Sequence, residues 1–144
     1  MSVASELAQA ITSDLKEQFG SQTCSVVLAL VPRSDLKALH NKTLIMVCPR
    51  KLETEEDNRG IGAVYRVAVD VGILRQCAVD NTDISDMMNV VEDVLVFLRK
   101  RKLTGFPKAK WISATNKPIY DPQKILNESM FFSIVSATYI LRGN

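Results

Sequence analysis

The sequence predicts an α+β fold in which two amphipathic helices pack on one face of a mainly antiparallel β-sheet. Two segments carry apolar residues at helical spacing, and a third alternates between apolar and polar residues over a long stretch. The predicted elements follow the order helix, strand, strand, strand, helix, strand, strand. Because strands joined by short connections usually lie next to each other, this order favours antiparallel pairing. We expect a single domain over residues 1–144.

The first predicted helix lies at the N-terminus. Its apolar residues recur every four positions and form a stripe along one side. The stripe consists of Val3, Leu7, Ile11 and Leu15. Ser2 is suited to cap the start of this helix, and Gly20 is suited to follow its end.

Two short apolar runs, each followed by a proline, predict the first two strands. Cys24–Val31 is rich in β-branched residues and apolar on both faces, which predicts a central strand covered on at least one side. Leu44–Cys48 predicts the second strand, ended by Pro49.

The polar segment 50–60 is strongly acidic. Its acids are Glu53, Glu55, Glu56 and Asp57. Because the segment contains no strong apolar residue after Leu52, we expect it to form an exposed loop that joins a long hairpin.

The clearest strand signal covers residues 61–73, where apolar residues occupy every second position. These residues are Ile61, Ala63, Tyr65, Val67, Val69, Val71 and Ile73. Arg66 and Asp70 fall on the opposite face, which predicts a long strand buried on one side only.

The second predicted helix begins at Asp83, with Asp86 in the N3 position of a capping box, and Gly105 and Pro107 close it. Its apolar stripe consists of Ile84, Met87, Met88, Val91, Leu95 and Leu98. The basic cluster 99–102 suits the helix dipole at the C-terminal end. The apolar arc is widened by Val90, Val96 and Phe97. This width fits either contact with a partner chain or a generous core stripe.

Three further elements complete the chain. Residues 110–114 predict a short strand, and residues 122–128 predict a helical turn with Pro122 in its first position. Residues 130–142 alternate in the manner of a long terminal strand.

The composition excludes several classes of protein. With 47% hydrophobic and 24% charged residues, the chain is neither disordered nor of low complexity. A net charge of +2 supplies little general attraction for nucleic acid. Three cysteines without a C-x-x-C pair indicate reduced, packed thiols. We expect no targeting peptide and no membrane span, and a protein that works in the cytosol or in an assembly built there.

The sequence contains no pattern typical of an active site. His40 lies in a polar turn away from cysteine or carboxylate clusters, and Gly60 and Gly62 lead into a strand without the residues of a phosphate loop. The acids of 53–57 lack the order of a calcium loop. We therefore expect no catalysis, metal, cofactor or small-molecule substrate.

One segment, 99–110, contains six basic residues and no acid. The basic residues are Arg99, Lys100, Arg101, Lys102, Lys108 and Lys110. With Phe106 inside the segment and Trp111 next to it, a nucleic-acid surface with aromatic stacking has to be considered. A solvated helix end or a protein-docking surface explains the same residues. The acids of 53–57 on one copy would also complement this segment on another, which suits a head-to-tail ring.

Several short sequence segments, together with their order along the chain, suggest a family. They are VVLALVPR, a second strand ending in CPR, an acidic hairpin, GIGAVYRVAVDVGIL, MMNVVEDVLVFLRKRKL and FFSIVSATYILR. Together they resemble the small tail terminator, or tail-completion, proteins of long-tailed bacteriophages. The resemblance covers about residues 3–142 and rests on the order of the elements and the pattern of apolar residues within them.

The resemblance implies a non-enzymatic virion protein of the tail or neck, assembled in the host cytoplasm. Members of the family form rings, generally hexameric, that cap the head-proximal end of the tail tube, stop its polymerisation and dock the head connector. The implied partners are further copies of the chain, the tube protein and the connector, with DNA only passing through the lumen. The acids of 53–57 would contact a neighbour or line the lumen, and the second helix with its basic end would face a subunit or connector.

Two alternatives remain beside this interpretation. One is another phage neck or head–tail joining protein, and the other is a small nucleic-acid-binding module that uses residues 99–110.

Overall fold

The computed structural model describes residues 2–30, 42–56, 63–116 and 119–142, which form helices and strands in the predicted α+β class. The helices are α1 (Val3–Phe19), α2 (Asn81–Leu98) and α3 (Pro122–Glu128). The strands are β1 (Cys24–Leu28), β2 (Thr43–Glu56), β3 (Ala63–Gln76), β4 (Lys110–Asn116) and β5 (Met130–Arg142).

The strands form one sheet in the order β1-β2-β3-β5-β4, so β3 lies at its centre. β3 pairs antiparallel with β2 on one side and with β5 on the other, and β4 pairs antiparallel with β5. Only the pairing of β1 with β2 is parallel within the described residues. The prediction of a mainly antiparallel sheet is confirmed.

The core lies between one face of the sheet and the two long helices. The alternation predicted for the third strand is confirmed from Val67 to Ile73, where every second residue is fully buried, whereas Ile61 lies outside the described residues. The stripe of α1 is confirmed too: Leu7, Ile11 and Leu15 are fully buried. From α2 the buried residues are Met87, Val91, Val94 and Leu98. These residues share a single cluster with the inward-facing residues of β3 and β5.

The opposite face of the sheet carries a smaller cluster. Met46, Leu74 and Met130 are buried there, and Phe132 packs against them. No buried residue of α1 or α2 belongs to this second cluster. We call this side the open face of the sheet.

The prediction that the first strand is central is wrong. β1 ends at Leu28 and lies at the edge of the sheet, where only Val26 is buried and Val27 remains 40% exposed. A short run that is apolar on both faces has no periodicity to reveal its position in a sheet. Val31 lies outside the described residues.

The prediction that the second strand ends at Pro49 is also wrong. β2 continues to Glu56 and pairs with β3 from Leu44 to Glu56, with a register shift between Pro49 and Lys51. Proline is tolerated in a sheet at such a bulge or at an edge. The acids Glu53, Glu55 and Glu56 are therefore strand residues instead of loop residues, whereas Asp57 lies outside the described residues.

The ends of α1 agree with the sequence, and those of α2 do not. Ser2 accepts a hydrogen bond from the Ser5 amide, and Gly20 follows the last turn of α1. The N-cap of α2 is Asp80, three residues before the predicted Asp83, and its carboxylate accepts a hydrogen bond from the Thr82 amide at 2.9 Å. Both aspartates suit this position, so residue type alone does not choose between them.

Tyr139 combines full burial with a hydroxyl that has no hydrogen-bond partner among the described residues. Burial raises the pKa of its phenol, the Asp14 carboxylate raises it further, and Arg101 opposes the shift. The side chain therefore stabilises the core through its ring, while its hydroxyl adds little.

We expect Tyr139→Phe to change the free energy of unfolding by less than about 1 kcal/mol, because no hydrogen bond is lost. Tyr139→Ala should lower it by about 3–5 kcal/mol, because it leaves a large cavity. Urea unfolding monitored by circular dichroism measures both changes. A large loss in Tyr139→Phe would contradict the assignment.

Candidate assembly surfaces

The acidic part of β2 lies at the end of the sheet where β2 and β3 approach their connection. Glu53 is paired opposite Arg66 of β3, and Glu55 is paired opposite Val64. The Glu53 carboxylate contacts the Lys51 ammonium, whose hydrogen bond and charge lower the pKa of Glu53, with a smaller contribution from Arg66. Because this carboxylate is solvated and already ionised at neutral pH, it is available for contact and unsuited to proton transfer.

The basic cluster 99–102 follows α2 instead of lying in its last turn, which corrects the predicted end of the helix. The amide of Arg99 donates to the carbonyls of Leu95 and Val96, and Lys100 adopts a left-handed conformation with φ of 55°. This turn ends α2 well before Gly105. Arg99, Lys100 and Lys102 are exposed.

Arg101 differs from its neighbours because its partly exposed side chain is fixed by contacts with other residues of the same chain. Its Nε donates to the Asp14 carboxylate at 3.0 Å, and its Cζ lies 3.9 Å from the centre of the Phe97 ring. Asp14 is only 2% exposed and also accepts from the Thr104 amide. These contacts fix the segment after α2 against α1, and they explain Arg101 without a partner protein.

The remaining predicted basic residues lie at a corner of the sheet, where β4 begins. Lys108, Lys110 and Arg142 surround a depression of about 330 Å³ together with Ile140 and Leu141. Among the described residues, neither Lys108 nor Lys110 has an ion-pair partner, and both are exposed. The six basic residues therefore occupy three different places. Three are exposed directly after α2, Arg101 is bound by Asp14, and Lys108 and Lys110 lie near the start of β4.

The two aromatic residues near the basic segment are not exposed stacking platforms. Phe106 and Trp111 are half-buried and pack against the core cluster on the helix side. Base stacking requires an accessible ring face. This arrangement weakens the interpretation of residues 99–110 as a single-strand-binding surface.

The three residues that widen the apolar arc of α2 lie in different environments. Val90 and Phe97 pack against the core, and Phe97 also meets Phe19 edge to face with ring centres 5.4 Å apart. Val96 is 69% exposed. Most of the wide arc is thus explained by contacts within the chain.

The open face contains a polar pair, Arg50 and Asp70, that no motif in the sequence indicates. Asp70 accepts hydrogen bonds from Arg50 at 3.0 Å and from the Ser136 hydroxyl at 2.7 Å. A depression of about 310 Å³ lies beside them and is lined mainly by apolar groups, among them Phe132 and Ile134. Alternation in β3 places Asp70 on this face, but only the tertiary pairing reveals its partners.

The three cysteines of the described residues are partly or fully buried. Cys24, Cys48 and Cys77 are free thiols, and burial raises the pKa of each. Asp70 adds to the rise at Cys48, and Asp83 to that at Cys77. No group of side chains suited to holding a metal ion occurs in the described part of the chain. No described helix is both long and apolar enough to cross a membrane.

Comparison with known proteins gives a likeness at the level of the fold. No family model matches the sequence, and no curated protein matches it. A chain from the virion of a native gene transfer agent particle has a similar structure, with a TM-score of 0.54 and 16% sequence identity. The match covers 99% of this chain and 98% of that one. At this identity the likeness shows a shared fold over the whole chain.

The Asp14–Arg101 contact predicts a clear difference between neighbouring cations. Arg101→Met should lower the free energy of unfolding by about 2 kcal/mol, because it leaves the buried Asp14 carboxylate without its charged partner. We expect less than the full cost of breaking a buried pair, since Arg101 is itself partly exposed.

Lys102→Met is the matched control and should change stability by less than about 0.5 kcal/mol, because Lys102 is exposed. Chemical denaturation of the two variants gives the comparison. Equal effects at the two positions would show that the contact contributes nothing to stability.

Proposed function

We propose that this chain is a structural virion protein of the tail-terminator type, which forms a ring at the head-proximal end of a tail tube. The observation that carries the proposal is the full-length likeness of its fold to a chain of a virion particle. The order of its elements and the pattern of apolar residues within them resemble those of phage tail terminators and support the same assignment.

The surfaces of the chain suit a protein that works by contact. The open face, with its half-buried Phe132 and Ile134, leaves apolar groups accessible beside the Arg50–Asp70 pair. Strand edges and apolar patches of this kind are typical sites of protein association. In the proposed ring, the tube protein and the head connector are the further partners.

The exposed cations after α2 are the proposed docking group for a neighbouring subunit or the connector. Arg99, Lys100 and Lys102 are exposed directly after α2, whereas Arg101 is bound by Asp14. A cluster of exposed charges steers association and fixes orientation more than it adds affinity. The same surface would serve another neck or head–tail joining protein, which is the nearest alternative role.

The proposal predicts self-association that depends on protein concentration and weakens with salt. Native mass spectrometry and sedimentation velocity over a concentration series should show a closed ring of six copies. Charge contacts at its interfaces make the ring less stable as ionic strength rises. Negative-stain images should show an annulus with a hole that admits duplex DNA.

The contradicting result is a monomer at every concentration that neither binds tail tubes nor blocks their elongation. If that monomer bound DNA with an affinity that falls steeply with salt, the nucleic-acid-binding alternative would be favoured.

A further inference from the structure

Residues that lie directly opposite each other form a row across four strands of the sheet, from β4 to β2. The residues at the two ends of this row carry opposite charges. Lys110 of β4 pairs with Ile140 of β5, Ile140 pairs with Arg66 of β3, and Arg66 pairs with Glu53 of β2. Residues directly opposite each other in antiparallel strands point to the same face. Lys110 and Glu53 therefore lie on the open face, at the same level of the sheet and on opposite sides of it.

Both sides of the sheet are unpaired at this level within the described residues. β1 pairs with β2 only from Thr43 to Val47, so the outer side of β2 from Lys51 to Glu56 has no strand partner. β4 is the last strand of the sheet and pairs only with β5. The unpaired backbone groups of such edges are ready to bond to another strand.

We propose that copies of this chain join head to tail by strand pairing, with the β2 edge Lys51–Glu56 of one copy against β4 of the next. The inference rests on the proposed ring and names the contact that builds it. These two edges suffice for association without a tube as template.

The strand directions fit this contact. β4 runs antiparallel to β5, β5 to β3, and β3 to β2. β4 of one copy placed beside β2 of the next therefore forms a further antiparallel pair, and the sheet continues from copy to copy. When the rows continue without a shift, Glu53 meets the neighbour's Lys110.

The adjoining rows are complementary as well. Trp111, Tyr139, Val67 and Leu52 form the next row, so the continued sheet places the 48% exposed Leu52 side chain beside Trp111 of the neighbour. On the other side, Glu55 shares a row with Val64 and Arg142, and Lys108 lies beside Arg142. An apolar contact thus lies next to a charged one.

The charge contrast belongs to the edges as a whole. Glu53 already contacts Lys51 in its own chain, yet residues 51–56 contain three acids and one lysine. Residues 108–116 contain two lysines and no acid. Because the two edges differ, the contact is heterologous, and repeated heterologous contacts form either a ring or a filament.

Exchange of charges between the edges tests the proposal. Glu53→Lys with Glu55→Lys makes both edges basic, and Lys108→Glu with Lys110→Glu makes both acidic. Sedimentation velocity of each full-length variant should show a dissociation constant raised at least about tenfold, because like charges then face each other. Combining all four substitutions in one chain should return the dissociation constant to within about threefold of that of the original chain.

The control variant, Glu6→Lys with Glu17→Lys, changes the net charge as much as the first variant but alters exposed positions on α1, away from both edges. It should associate as the original chain does. Circular dichroism and thermal unfolding of each variant verify that the fold is retained.

The outcomes separate this inference from the proposed function. If the original chain forms rings and both charge-reversed variants form them equally well, the edge pairing is overturned while the ring stands. If both reversed variants fail to associate and the variant with all four substitutions does not recover, the direct pairing of the two edges is overturned. If the original chain stays monomeric up to millimolar concentration at low salt, the edges do not suffice and the inference is overturned. The ring is then judged by the tube-binding assay.

Discussion

The fold depends on the burial of one face of β3. This strand lies at the centre of the sheet, and its residues from Val67 to Ile73 alternate between complete burial and the open face. A shift of one residue in its pairing would turn the whole apolar set to solvent, so burial fixes the register with both neighbours. The position of Glu53 follows from that register, and the position of Lys110 follows from the pairing of β4 with β5, although neither residue belongs to the core.

Periodicity predicted those elements that bury mainly one face, because their core-facing apolar residues recur at regular spacing in the sequence. β3, β5 and the stripe of α1 are examples, and the α+β class follows from their order. Periodicity failed for Cys24–Val31, where apolar residues on both faces fit a central strand and an edge strand equally well. It failed again at Pro49, because a bulge lets β2 continue past a residue that usually ends a strand.

The candidate surfaces were predictable in composition but only partly in geometry. The sequence identifies an acidic and a basic segment, and both contain exposed residues. It does not separate Arg101 from Lys102, because the difference lies in Asp14, a residue far away in the chain that reaches Arg101 only after α1 packs beside the end of α2. An aspartate beside the apolar stripe of α1, next to Leu15, is the one signal that pointed to such a contact.

Edges of a sheet are hazards unless their pairing is restricted, and in the proposed assembly charge provides the restriction. Two β2 edges would bring acids together, and two β4 edges would bring Lys108 and Lys110 together, so pairing between like edges is disfavoured. Only the unlike pair combines opposite charges with the Leu52–Trp111 contact. The same few residues would then both prevent indiscriminate association and select the one arrangement that repeats in a single direction, which a ring requires.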